Sequence, residues 1–367
     1  MMIPLIISLP LACYGVFVVW LLVSTARHKT AFSGGRTGLP GISIIIPFNN
    51  EAHNLATLLD SLSRQEYAGP WEVLLINDSS TDNYRETADT FLNRFPVRIN
   101  IVDSVFDKSV HLTSKQQALD RGVSEAGFEW CVFSDADMLF EKDWLAVFAG
   151  NAVPGRDLVF GHTATAGKGM FNALQRFQLE FLFAAAYSFH SAGITGSCMG
   201  NNLLVRKETY AGLGGQAKIG YSIVEDRDLY KAFKRHGYSV APAHPFSAKA
   251  ATLPCVSLPQ FYHQMLRWAR GGFSFTSMLL PAGLLLTAQN FAFLAALCGL
   301  LAPVATALSF VNFFLTMLFL HFAFRKTGSG ESAFFFPVYY VLMLVETVVF
   351  IFSFLITPRV EWKRRKL

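Results

Sequence analysis

Trp130-Cys131-Val132-Phe133-Ser134-Asp135-Ala136-Asp137 decides how this chain is read. An apolar run of four residues passes straight into two carboxylates at i and i+2. A short continuous apolar run is the pattern of a strand buried on both faces of a parallel sheet. In an open α/β sheet, ligands bind just beyond the carboxyl ends of such strands. Asp135 and Asp137 therefore belong at a strand end, with no Lys or Arg following them until Lys142. Two carboxylates this close repel each other, and a hard divalent cation completed by phosphate oxygens relieves the repulsion. The plainer alternative is a polar loop in which Asp137 caps the next helix. Asp-x-Asp alone favours that alternative, so the decision passes to the flanking sequence.

Upstream, Ile42-Ser43-Ile44-Ile45-Ile46 is a β-branched run stopped by Pro47. A helix follows, with Leu55, Leu58, Leu59 and Leu62 on one face. Val73 to Ile76 is a second strand, ending at Asn77-Asp78-Ser79-Ser80-Thr81-Asp82, where the polar cluster suits a turn and a helix N-cap. Tyr84, Ala88, Phe91 and Phe95 mark the next helix face. Val97 to Val102 is a third strand, and Lys115 to Ala126 a helix leading into the Trp130 strand. Strands alternating with helices of this length predict a largely parallel, doubly wound half-domain. The chain has no G-x-G-x-x-G after its first strand and no G-x-x-x-x-G-K-[ST], so neither a dinucleotide fold nor a P-loop is supported.

Downstream the pattern is less regular. Asp157 to Gly161 reads as a strand. Gly169 to His190 reads as a Phe-rich helix (Phe177, Phe181, Phe183) that packs in a core, with an interfacial membrane helix as the alternative. Gly200-Asn201-Asn202 and Gly214-Gly215 bracket Leu203-Leu204-Val205-Arg206. Val224-Glu225-Asp226-Arg227-Asp228 opens a helix that Gly237 ends, and N-capping alone accounts for Asp226 at this level. Phe261 to Gly272, containing Gln264-Met265-Leu266-Arg267-Trp268, is an aromatic, basic, amphipathic stretch of interfacial type.

Of 367 residues, 52% are hydrophobic and only 16% charged, and the excess lies at the two ends. Ile3 to Ser24 carries no charge over 22 residues, enough to span a bilayer, and lacks the basic start of a signal peptide. Met278 to Phe324 has 47 residues without Lys, Arg, Asp or Glu, enough for two spans divided near Pro303; Ala333 to Ile356 is a third and carries Glu346. The clusters Arg27-His28-Lys29 and Lys363-Arg364-Arg365-Lys366 flank apolar stretches. With a net charge of +5, they fit the positive-inside rule and attraction to anionic lipid better than nucleic-acid binding. Three crossings from the cytoplasm would leave the basic tail outside. The first C-terminal segment, near Met278 to Asn290, is therefore expected to lie in the interface or to re-enter. Five scattered cysteines form no Cys-x-x-Cys pair, which argues against a disulfide framework or a zinc site.

Taken in order and between membrane segments, the motifs resemble those of the membrane-bound family 2 glycosyltransferases over nearly the whole chain. The resemblance rests on Ile46 to Glu51, Asn77 to Asp82, Lys115, Ser134 to Asp137, Gly200-Asn201-Asn202 before Arg206, Val224-Glu225-Asp226, Gln264 to Trp268 and Trp362 to Arg365. It implies an α/β fold: a GT-A (nucleotide-diphospho-sugar transferase) domain flanked by transmembrane helices. The division it implies is an anchor over 1–26, a cytoplasmic GT-A domain over 40–257, an amphipathic interfacial segment over 258–276, transmembrane or re-entrant helices over 277–357 and a basic cytoplasmic tail over 358–367, in a bacterial inner membrane. The resemblance also implies roles. Pro47, Glu51, Asp78, Lys115, Asp135, Gln264, Arg267 and Trp268 would bind the nucleotide-sugar donor, and Asp135 and Asp137 would hold Mg²⁺ or Mn²⁺. Asp226 would be the general base, and Gly200, Asn201 and Glu225 would support the acceptor side. Two positions depart from the family pattern: Asn77 replaces one carboxylate of an acidic pair, and the terminal motif lacks its glycine.

The residue types suit the chemistry. Breaking the anomeric C–O bond leaves growing negative charge on a nucleoside diphosphate, which a cation held by carboxylates, Lys115 and Arg267 would neutralise. A carboxylate taking the acceptor's hydroxyl proton is typically worth about 10²–10⁴-fold. Transfer of a sugar from a UDP-linked donor, or from GDP-mannose, to a lipid or glycan acceptor at the cytoplasmic membrane face, with inversion, is the leading expectation. A processive polysaccharide synthase and an inactive nucleotide-sugar-binding membrane protein are the alternatives.

Overall fold

The structure is a computed structural model and describes residues 2–28, 38–92, 95–244, 250–272, 279–356, 361–362 and 365–366. The chain divides into two compact units. One comprises Met1–Lys29, Gly169–Gly196 and Cys255–Leu367, the other Thr30–Lys168 and Ser197–Pro254. In chain order the elements are α1 (Met2–Arg27), β1 (Ile42–Phe48), α2 (Ala52–Ser63), β2 (Trp71–Asn77), α3 (Tyr84–Leu92), β3 (Ile99–Asp103), α4 (Ser114–Glu125), β4 (Trp130–Ser134), β5 (Met138–Phe140), α5 (Trp144–Asn151), β6 (Leu158–Phe160) and β7 (Thr163–Thr165). They continue with α6 (Met170–Ser191), β8 (Asn202–Arg206), α7 (Lys207–Gly212), α8 (Gly215–Ile219), α9 (Glu225–Arg235), β9 (Val240–Pro242), β10 (Ala250–Thr252), α10 (Leu258–Gly272), α11 (Leu279–Leu297), α12 (Pro303–Thr327) and α13 (Phe336–Ile356).

The α/β unit is built on a seven-stranded sheet of order β3-β2-β1-β4-β8-β6-β9. β3, β2, β1 and β4 are parallel, and β8 runs against both β4 and β6. Every residue of β1 and β2 is buried, as expected of strands covered on both faces. Leu55, Leu58, Leu59 and Leu62 of α2 are fully buried against them, each worth roughly 1.5–3 kcal/mol of transfer free energy. Pro47 does not stop its strand, contrary to the sequence reading. β1 runs through it to Phe48 because pairing with β4 ends at Ile45–Phe133, so the missing N–H of Pro47 falls beyond that ladder.

A second sheet, β5-β10-β7, has strands of three residues each, too short to leave a pattern in the sequence. It grips the turn after β4 from the far side: Thr252 pairs with Met138, and the Leu253 N–H donates to the Asp137 carbonyl at 2.9 Å.

In the helical unit, α1 packs against α11 and α12. Asn312 Nδ2 donates to the Leu11 carbonyl at 2.8 Å and to Gln289 Oε1 at 3.0 Å, and a Cβ on Gly15 would stand 2.6 Å from Asn312 Oδ1. Gly15 thus lets two apolar helices approach closely enough for a buried amide to join them. The Phe177 ring of α6 lies against Phe324, Phe335 and Tyr339, which makes α6 a packed core helix. Among the described residues, three helices are long and apolar enough to cross a membrane: Ile7–Arg27, Leu280–Leu297 and Pro303–Thr327. The segment expected to re-enter is a continuous helix from Leu279, and it belongs to that set; Met278 lies outside the described residues. Lys29, and Lys363 and Arg364 of the basic tail, also lie outside them. Trp362 and Arg365 pair across a two-residue antiparallel bridge.

Candidate active site

The parallel strands bring their carboxyl ends to one edge of the sheet, and the opposed direction of β8 brings its amino end there too. Ser134 pairs with Asn202, so Gly200 and Asn201 arrive beside Asp135. Ser134 Oγ donates to the Asn201 carbonyl at 2.9 Å, and Thr163 Oγ1 bonds Asn201 Oδ1 at 3.0 Å. Pro47, Glu51 and Asp78 stand at or just past the ends of β1 and β2 on the same edge. Asp78 is buried, and its N–H donates to the Phe48 carbonyl at 2.8 Å. Glu51 occupies the N-cap position of α2 without capping it; its Oε2 accepts instead from Asn54 Nδ2 at 2.6 Å.

Lys115 Nζ lies 2.7 Å from Asp135 Oδ1 and 2.9 Å from Glu225 Oε1. Asp135 therefore has its cation within the fold, 20 positions upstream, while Lys142 pairs with Glu66. Burial pulls the Lys115 ammonium down, but Asp135 and Glu225 outweigh it and hold the group charged, with a pKa above the usual lysine range. Asp137 does not cap a helix, because β5 follows it directly. Its Oδ2 accepts from Thr252 Oγ1 at 3.2 Å.

Asp226 lies at the second position of α9, whose N-cap is Val224, so its place is not explained by capping. Its Oδ2 accepts from the Gly200 N–H at 2.7 Å and its Oδ1 from the Arg227 N–H at 2.6 Å. Burial first, then the Glu225 carboxylate, push its pKa up to about 7, against the pull of Lys115 and the two N–H donors. The Cys198 thiol beneath contacts the Asp226 carbonyl at 3.5 Å, and burial raises its pKa well above the usual thiol range.

One ammonium thus pairs with Asp135 and Glu225 and draws on Asp226 as well. Among the described residues no three His, Cys, Asp or Glu converge as a metal cage. Asp135 and Asp137 are two partly exposed hard-oxygen groups on one turn. That donor set fits Mg²⁺ or Mn²⁺ completed by diphosphate oxygens and water, and does not fit zinc.

Two supports escaped the sequence reading. Asn50, in the left-handed region at φ 55°, accepts on Oδ1 from the N–H groups of Thr81 and Asp82, and so ties the β1–α2 and β2–α3 loops together. Asn is one of the few residues at ease there, which is a signal that could have been read. Gln116 is fully buried; it completes the capping box with Thr113 and also bonds Gln216, Gly220 and Ser222, fixing the loop before α9. The box is visible as Thr113-x-x-Gln116; the long-range bonds are not.

Gln264, Arg267 and Trp268 lie on α10 of the helical unit. Gln264 Oε1 accepts from the Cys255 thiol at 3.4 Å, and Trp268 packs against Cys255, Phe261 and Met265.

The family model described as glycosyl transferase family 21 matches residues 3–367. The 4,4'-diaponeurosporenoate glycosyltransferase of Staphylococcus aureus (strain USA300) is 28% identical over 135 residues, 37% of this chain and 32% of its own, so the match spans about a third of that relative. Among solved structures, the mannosyltransferase PcManGT from Pyrobaculum calidifontis, in complex with GDP-Man and Mn²⁺, superposes with a TM-score of 0.56 at 15% identity, covering 97% of this chain and 98% of that one. This likeness is one of fold, and the fold is of the GT-A type.

Proposed function

The chain belongs to glycosyl transferase family 21, and from that premise we propose that this glycosyltransferase moves a sugar, with inversion, from a nucleoside diphosphate donor to a lipid-linked acceptor hydroxyl at the cytoplasmic face of a membrane. The observation that carries the reading is Asp226, which is fixed by two backbone N–H groups and has a pKa near neutrality beside the Lys115–Asp135 pair. A base is most effective when its pKa lies near the working pH. Asp226 takes the proton of the attacking hydroxyl, and its remaining lone pairs are the ones available to do so. Lys115 is positioned to meet charge developing on the leaving diphosphate.

Asp135 and Asp137 are the residues that hold Mg²⁺ or Mn²⁺. When bound, the ion screens a diphosphate that would otherwise enter a cleft already rich in carboxylates. The buried Asp78, with Pro47 and Glu51, forms the nucleoside side. The finer resemblance, to the family 2 motif set, adds Gln264, Arg267 and Trp268 at the diphosphate, and Gly200, Asn201 and Glu225 on the acceptor side. UDP-sugars are the first donors to try and GDP-mannose the second; the mannosyltransferase of like fold is a GDP-Man and Mn²⁺ complex. Three apolar helices in the same chain favour an acceptor drawn from the bilayer.

The test is a donor panel with purified full-length protein, with and without EDTA, scoring nucleoside diphosphate release and organic extraction of labelled product. Extractable product that depends on the divalent cation and is lost in Asp226→Asn supports the proposal. Turnover that survives Asp226→Asn, or product that stays in the aqueous phase as polymer, defeats it.

A further inference from the structure

Tyr221 is anchored at its root and left open at its ring. The residues on either side are tied to one buried side chain: Gln116 Nε2 donates to the Gly220 carbonyl at 2.8 Å, and Gln116 Oε1 accepts the Ser222 N–H at 3.1 Å. Gly220 sits at φ +95°, a conformation that a side chain would resist. Between these anchors the Tyr221 ring projects outward, 38% exposed, and stacks on the exposed His111 ring with centroids 4.8 Å apart and planes 21° from parallel. His111 lies on the loop that leads into α4 and Lys115. Tyr221 lies five positions before Asp226.

A surface aromatic needs neither a rigid root nor a stacked partner to be tolerated. Ordering it costs side-chain entropy that solvent exposure does not return. A flat ring already fixed in place, with only two torsions to freeze, is what a binding platform requires. The ring shares its segment with the carboxylate that must reach the acceptor hydroxyl, whereas the nucleoside candidates Pro47 and Asp78 stand at the ends of other strands. We propose that Tyr221, backed by His111, is the platform on which the head of a lipid-alcohol acceptor rests, presenting its hydroxyl to Asp226. The inference rests on the reading of Asp226 as the base. It adds a specificity-determining residue that recognises the C–H face of the lipid head and not a charge.

The test uses full-length protein in phosphatidylethanolamine–phosphatidylglycerol nanodiscs. The probe is a diacylglycerol carrying a diazirine near its glycerol end, photolysed with UDP present, and adducts are mapped by mass spectrometry. Wild type and Tyr221→Phe are expected to carry adducts in peptides covering 105–113 or 218–226. Tyr221→Ala is expected to lose about fivefold of that yield, the worth of one aromatic contact. Adducts on the apolar helices should be equal in all three proteins and serve as the control for folding. Peptides left unlabelled in wild type, or labelled equally in Tyr221→Ala, overturn the proposal. Failure of the base assignment shows separately, as turnover retained in Asp226→Asn.

Discussion

The Gly200 N–H donates to Asp226 Oδ2 at 2.7 Å, and a Cβ on residue 200 would stand 2.7 Å from that same oxygen. The glycine therefore both bonds the carboxylate and leaves room for it. Gly200→Ala must push Asp226 off its position. A displacement near 1 Å at a reacting group costs about 10²-fold in rate. We expect kcat to fall by that order while donor affinity, measured by calorimetry, stays within about twofold, since the residues proposed to contact the nucleoside, Pro47, Glu51 and Asp78, lie elsewhere. An unchanged kcat would show that Asp226 does not act from this position.

The proposed base, Asp226, would work only when ionised, and its pKa is held up to about 7. A raised carboxyl pKa leaves the group protonated at mildly acidic pH, so kcat/KM should be level above about 7 and fall tenfold per unit below it. Glu225 is the second cause of the rise, after burial. Glu225→Gln removes a negative neighbour, and the acid limb should move to lower pH. A wild-type limb near the ordinary carboxylate value of about 4 would contradict the assignment.

Thr252 Oγ1 donates to Asp137 Oδ2 at 3.2 Å from β10, across the small sheet. Groups that orient a ligating carboxylate typically contribute 10–100-fold to cation affinity. Thr252→Val keeps the shape and removes the donor. The Mn²⁺ concentration giving half-maximal activity is expected to rise about tenfold with little change in maximal rate. Titration of EDTA-treated protein with Mn²⁺ measures this directly, and an unmoved midpoint would detach Asp137 from the cation.

The sequence was most legible where pattern is local. The runs ending at Pro47, Asn77 and Ser134 lie at or beside strand ends, and the leucine stripe of α2 is buried as its spacing predicts. Legibility fails where partners are distant. Lys115 meets Glu225 from 110 positions away, and nothing in either segment announces it. β10 is three residues long, so the device that holds the Asp137 turn leaves no periodicity to read. The opposed run of β8, which carries Gly200 and Asn201 to the edge beside Asp135, depends on pairing with β4 and not on its own composition.

Asn50 ties the β1–α2 loop to the β2–α3 loop, the edge proposed to receive the nucleoside. Its backbone lies at φ 55°, its N–H donates to Ser80 Oγ at 2.9 Å, and its Oδ1 accepts from Thr81 N at 2.8 Å. Three substitutions separate the two roles. Asn50→Asp keeps the one acceptor oxygen that takes both N–H groups, and tolerance of the left-handed region, and should stay near wild type. Asn50→Gly keeps the backbone at ease but frees the loop after Asp78, so the donor KM should rise several-fold. Asn50→Ala loses the bonds and adds backbone strain of about 1–2 kcal/mol. It should show the largest rise in donor KM, about tenfold, and a lowered thermal midpoint that Asn50→Gly does not share to the same degree. If Ala and Gly behave alike, the strain at residue 50 is not felt; if Asp behaves like Ala, the bonds to residues 81 and 82 are not what orders the loop.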